Sequence, residues 1–309
     1  MLWIALGLLI TVEAAHQYIQ KYLANRLPAV SITLGAFGTA AILAVGYHLA
    51  VRKEMVFSEN SLLIASVAGI NALGAWFFLK AIRINLTRSV LTRPLIAVLG
   101  IVLIAIFLGE WSLLNPTTAN GMLRIAGIIM AFAALTCFAT SGPQTTPAGQ
   151  AQADGAWAYY AGSAVVIWGV VNFLLKFFSL KAIPTDIFLA SWYPAAFAAT
   201  VLIRLISAWF SKQNKKAPQV IGASPLRKTT YLILPILGCT TVTTLGLTYW
   251  ALSLGPGVIV LSVHDVLTVL SGVVLGLLVF GERKNFYRRD WLGALCTGGT
   301  VIIFSLAGR

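Results

Sequence analysis

Ten separate apolar runs, each long enough to cross a bilayer as a helix, leave this 309-residue chain few folds to adopt. They lie at about 2–22, 29–51, 61–82, 85–108, 119–140, 157–180, 184–210, 229–253, 257–280 and 290–307. A spanning helix needs about 20 mostly apolar residues. Lipid offers no water to bonded backbone groups, so only helices or closed barrels can cross it, and the strict alternation of barrel strands is absent. The first run has neither a basic leader nor a small-residue cleavage site, so it reads as helix 1 and not as a signal peptide. Composition agrees. Hydrophobic residues make up 59% of the chain and charged ones 10%, against about 25% charged in soluble domains. Soluble enzymes, disordered chains and collagen are excluded.

The links are short, apart from the Gly-, Pro-, Thr- and Gln-rich stretch 141–156, a flexible linker by composition, and the basic stretch 211–228. No extramembrane catalytic domain fits between the spans. The net charge of +13 comes mostly from link cations, which suit anionic headgroups and not nucleic acid. Thirteen of the 22 Lys and Arg fall in or at the edge of the links 1–2, 3–4, 7–8 and 9–10, with Lys21 and Lys80 at the ends of the adjoining runs, so loop charge alone puts both termini outside the cytoplasm. Cys137, Cys239 and Cys296 lie in apolar runs without pairing or metal spacing and read as buried small hydrophobes.

The 141–156 linker divides the chain into halves of five spans, 1–140 and 157–309, and the halves resemble each other. Residues 74–110 align without a gap on 246–282 at an offset of 172, with seven of 37 positions identical, among them Gly100/Gly272, Gly109/Gly281 and Glu110/Glu282. His16–Pro28 lies over Asn172–Pro184 at an offset of 156. An odd number of spans per repeat forces the second half to enter the membrane with opposite polarity. Inverted repeats of this kind place a shared site near the midplane and suit alternating access.

The helix ends FLGE (Phe107–Glu110) and VFGE (Val279–Glu282), the segment WGVVNFLLK (Trp168–Lys176) and Pro94 midway along the fourth run resemble the EamA-type branch of the drug/metabolite transporter superfamily. The resemblance covers about 2–308. It implies an all-α integral membrane protein of ten transmembrane helices, two inverted five-helix repeats around a central cavity lined by the first, third and fourth helices of each half. It also implies a multi-pass protein of the bacterial inner membrane with cytoplasmic termini, opposite to the loop-charge reading. The chain departs from the family where Val266 matches Pro94, and where His16 and Gln17 replace a usual Asn-Phe pair.

Charged side chains inside spans cost about 2.5–3.5 kcal/mol each on insertion scales, so each needs a reason. Glu13, His16, Arg93, Lys176, His264 and Asp265 lie well inside apolar runs; Lys176 and Arg88 are near enough to ends to snorkel. Arg93 and Asp265 are repeat-equivalent, which suggests either a gated charge pair, with Asp265 or His264 taking a proton, or a fixed ion pair between helices. Glu13, His16, Gln17 and Gln20 share one face of helix 1, with His16 matched by Asn172 and Gln20 by Lys176. That face forms either a cavity wall or a helix–helix hydrogen-bonding seam. Trp76, Trp192 and Tyr249 pack as core or cup a substrate. Asn71 and Thr240, Thr241, Thr243 and Thr244 serve substrate contact or close packing. Trp3, Trp111, Trp157 and Trp291 read as interfacial belt residues, Gly255-Pro256-Gly257 as a turn or hinge, and Glu110 and Glu282 as interfacial helix-end groups.

The expected function is a secondary carrier, proton-linked or exchanging, for a small polar or amphipathic metabolite such as an amino acid, a derivative or an organic cation. A lipid head-group translocator is the alternative. No enzyme constellation, metal cluster or cofactor motif is present in the sequence. The expected partners are a small molecule, protons and the bilayer, with the chain working as a monomer or homodimer.

Overall fold

The computed structural model describes residues 2–109, 114–139, 148–213, 228–254, 260, 264, 268–269, 271–285 and 287–307. Among them there is no strand. The helices are α1 (Leu2–Ala24), α2 (Ala29–Arg52), α3 (Ser61–Ile84), α4 (Leu86–Leu91), α5 (Arg93–Phe107), α6 (Ala119–Ala139), α7 (Ala148–Leu180), α8 (Thr185–Gln213), α9 (Lys228–Leu254) and α10 (Arg288–Ala307). A π-helical turn at Leu275–Val279 and a 3₁₀ turn at Glu282–Asn285 precede α10. Among the described residues seven segments are long and apolar enough to cross a membrane: α2, α3, α4 with α5, α6, α7, α8 and α9. The chain is a multi-pass membrane protein by that criterion.

Two features depart from the sequence reading. The run 85–108 is broken: α4 ends at Leu91, Thr92 stands between, and α5 starts at Arg93 with Pro94 in its first turn. Proline has no N–H to give the carbonyl four residues back, and its ring crowds that carbonyl. The stretch expected as a linker is helical from Ala148, which extends α7 by nine residues at its start. Trp157 therefore lies within the helix, not at a belt: it is buried and its Nε1–H donates to Ser89 Oγ at 3.1 Å. Trp111, Glu110 and Gly255-Pro256-Gly257 lie outside the described residues, whereas Trp291 is 45% exposed.

Lipid is as apolar as leucine, so helices associate in it through close packing and hydrogen bonds. α1 packs on α9, α3 on α7 and α8, α2 on α8 and α9, α5 on α7, and α6 on α10. Thus helices from residues 1–140 meet chiefly helices from 148–307. Small residues allow the close approach. A methyl on Gly238 of α9 would lie 2.5 Å from Thr39 Cβ and 2.8 Å from the Ala36 carbonyl oxygen of α2. Gly100 faces Asn172 of α7, and Gly272 faces Gln17 of α1. Gly109 and Gly281 end their helical runs at φ +71° and +66°, a left-handed conformation that costs glycine nothing.

Candidate functional site

Between these helices lies a cavity of about 160 Å³, a size of the order that admits benzene in an engineered protein core. α1 supplies Glu13, His16 and Gln20, spaced so that all three project from one face. α3 supplies Asn71, α5 Arg93, α7 Trp168 and Asn172, and α8 Trp192 and Tyr193. Thr241, Thr244 and Thr248 come from α9, and His264 completes the ring. Phe37 and several aliphatic side chains fill the rest.

The charged groups meet loosely. Arg93 Nη2 is 3.9 Å from Glu13 Oε1, and His264 Nε2 is 3.8 Å from Glu13 Oε2, beyond the range of a direct hydrogen bond. Glu13 does accept from Gln17 Nε2 at 3.2 Å, and Gln17 donates as well to the Thr268 carbonyl at 3.0 Å. The guanidinium of Arg93 stands over the rings of Phe78 and Trp168, 4.8 and 4.9 Å from their centroids. His16 Nδ1 lies 3.0 Å from Thr240 Oγ1. That hydroxyl already donates to the Leu237 carbonyl, so it accepts from His16, and Nδ1 carries a hydrogen.

The break after α4 matters for Arg93. It makes this residue the first of α5, followed by Pro94, which has no N–H, and by Leu95, whose N–H donates to the Thr92 carbonyl at 3.1 Å. Broken helices lining a cavity in this way recur at membrane transport sites.

Of the residues expected at the site, Glu13, His16, Gln20, Asn71, Arg93, Asn172, Trp192 and His264 line the cavity. Asp265, the expected partner of Arg93, lies outside the described residues, and the carboxylate beside Arg93 is that of Glu13. Three residues go elsewhere. Trp76 packs on Phe77 and carries Lys80 Nζ 3.8 Å above its ring. Tyr249 is buried in the core, stacked on Phe188 at 4.0 Å, with its hydroxyl donating to the Phe178 and Ile183 carbonyls. Lys176 Nζ reaches the Leu252 carbonyl at 3.5 Å. Trp168 was not expected at the wall, although it precedes Asn172 by four residues and so shares its face.

Two further buried charge clusters join distant parts of the chain. Glu282, expected as a helix-end group, is 7% exposed; it pairs with Lys21 at 2.8 Å and accepts from Leu86 N, Thr87 N and Thr87 Oγ1 at the start of α4. Nearby, Arg88 does not snorkel but donates to Asp290 at 2.8 Å. On α2, buried His48 contacts Asp186 through Nδ1 at 3.0 Å and accepts from Val56 N–H through Nε2. Arg52 also donates to Asp186. Of the cysteines expected to be buried, Cys239 is exposed on α9 and Cys137 and Cys296 are half-buried; none of the three forms a disulfide. Among the described residues no group of three His, Cys, Asp or Glu side chains is placed to hold a metal ion.

No family model and no curated protein matches this sequence. A solved structure described as "Crystal structure of protein" is similar in fold, with a TM-score of 0.62 and 16% identity over 99% of this chain and 98% of that chain.

Proposed function

We propose that this chain is a secondary carrier that moves a small molecule across the membrane by alternating access around the Glu13–Arg93–His264 cavity. Its two halves are read as inverted five-helix repeats of the EamA type, ten spans in all, in a bacterial inner membrane. The observation that carries this reading is the cavity itself: charged side chains from inside apolar runs of the sequence, held apart at 3.8–3.9 Å, facing an interior space. A purely structural pair would close to hydrogen-bond contact, because buried charges are costly unless well paired.

The packing supports the two-half reading. Exchanging the halves turns the α1–α9 contact into the α7–α3 contact and α2–α9 into α8–α3, while α2–α8 and α6–α10 map onto themselves. The equivalent glycines Gly100 and Gly272 each sit against the first helix of the other half. Gly109 and Gly281 share the same left-handed turn.

The test is counterflow in proteoliposomes loaded with a panel of small acids, amines and neutral compounds, using the full chain. A saturable exchange that is lost in Glu13→Gln is expected. Exchange indifferent to that change would overturn the assignment of the cavity.

A second reading, head-group translocation, draws on the groove of about 780 Å³ between α2, α8 and α9, lined by Leu43, Tyr47, Leu189, Thr243 and Trp250. Selectivity for long-chain lipids in the same vesicles would favour it.

A further inference from the structure

An arginine brings five N–H donors and no acceptor. In the membrane interior each unmet donor is expensive, and such groups normally find a carbonyl or carboxylate. Arg93 departs from this pattern. Among the described residues it donates no hydrogen bond within range, its nearest carboxylate oxygen stands 3.9 Å away, and its buried Nε has no partner. Around the same cavity the indole N–H groups of Trp168 and Trp192 are also buried without an acceptor, and Trp192 is wholly buried. Among the described wall groups left without a partner, Arg93 Nε and the two indole N–H groups are donors, Gln20 Oε1 is an acceptor and the Thr244 hydroxyl can serve as either, so donors are in excess. Among the described residues the one carboxylate on the wall, Glu13, is partly engaged by Gln17.

We propose that the cavity takes a small organic monocarboxylate, its head group held by Arg93 at the start of α5 and its compact apolar body seated among Trp168, Trp192 and Tyr193. This deepens the carrier reading and rests on it only for the step of translocation, not for binding. The chemistry fits on two counts. A planar guanidinium engages a carboxylate through two parallel hydrogen bonds. A volume of about 160 Å³ suits a benzene-sized body, and most of the wall is aromatic or aliphatic. An ammonium compound would meet the wrong end of Arg93 and leave the indole donors unsatisfied.

Three probes share one body and differ in the head group: benzoate, benzyl alcohol and benzylamine. Their binding to the purified full chain is read by intrinsic tryptophan fluorescence and by the thermal shift. Benzoate is expected to bind about ten- to a hundredfold tighter than the other two, the range of a charge-assisted pair of hydrogen bonds. Arg93→Gln is expected to erase that preference. Should that variant not fold, Arg93→Lys carries the test, weakening benzoate severalfold while leaving benzyl alcohol unchanged. Preference for benzylamine, binding of none of the three, or benzoate affinity indifferent to these changes overturns the proposal. Benzoate counterflow in proteoliposomes separates the two readings. Benzoate that binds but does not exchange leaves the anion site standing and overturns the carrier. Exchange of benzylamine alone does the reverse.

Discussion

Replacing Glu282 by Gln isolates the contribution of one buried carboxylate to this bundle. In the wild type its two oxygens take the Leu86 and Thr87 amides at 2.9 and 2.7 Å, the Thr87 hydroxyl at 2.7 Å and the Lys21 ammonium at 2.8 Å. The two side chains are 6% and 8% exposed, so water cannot substitute. Glutamine keeps one acceptor oxygen and loses the charge. Lys21 then retains only the Ile82 carbonyl, at 2.8 Å. Breaking one partner of a buried pair costs about 3–5 kcal/mol. The surviving acceptor argues for the low end, about 3 kcal/mol, or a fall in melting temperature of about 6–12 °C at about 2–4 °C per kcal/mol. The assay is thermal unfolding of the purified protein in detergent, with Lys21→Met and the double variant completing a cycle. The double variant should be milder than the sum of the singles by about 2 kcal/mol, because it leaves no orphaned charge. A Glu282→Gln protein that melts within about 1 °C of wild type, or an additive cycle, refutes the reasoning.

Gly276→Ala should damage the same network from another side, since its methyl would collide with Thr87 Oγ1 and crowd Glu282 Oε2 at 2.9 Å; a loss above about 1 kcal/mol, typical of overpacking, is expected by melting. His48→Ala leaves the Val56 amide without its acceptor and Asp186 with Arg52 alone. It should cost about 1–3 kcal/mol and speed hydrogen exchange at Val56 above that of the α2 core. Benzoate affinity should rise as pH falls from 8 to 6. The cavity already holds Glu13 opposite Arg93, with His16 and His264 beside them. A bound monoanion leaves one uncompensated negative charge that favours proton uptake, worth at most about tenfold in affinity per pH unit for one proton. Isothermal titration in buffers of different ionisation enthalpy measures the protons taken up, and a flat profile excludes the linkage.

The helix positions were largely legible because length and apolarity set them: the expected ends of α2, α3 and α8 lie within three residues of those observed. The break at Thr92 was visible only as Pro94, which membrane helices also tolerate without breaking. The α1 wall followed from four polar residues at helical spacing. Tyr249 and Trp76 misled because a spacing argument places a ring on a helix but not on the neighbour it meets; Phe188 and Lys80 decide that. Glu282 reads as a helix-end group because it closes an apolar run, and nothing local in the sequence marks Lys21 as its partner. Their pairing depends on two segments from opposite ends of the chain, and no local pattern encodes it.

The polar pairs Lys21–Glu282, Arg88–Asp290 and His48–Asp186 each tie an early residue to a late one. Arg88 and Asp290 are 202 residues apart, which at about 5–20 residues per second means about 10–40 s of synthesis between donor and acceptor. During that interval the nascent first half carries lysine and arginine side chains whose eventual counter-ions have not yet left the ribosome. It must be sheltered by insertion machinery, or stay partly out of the lipid, until the last helices arrive. Maturation of this protein is therefore a terminal event, and a chain cut short before residue 282 would be a natural target for membrane quality control.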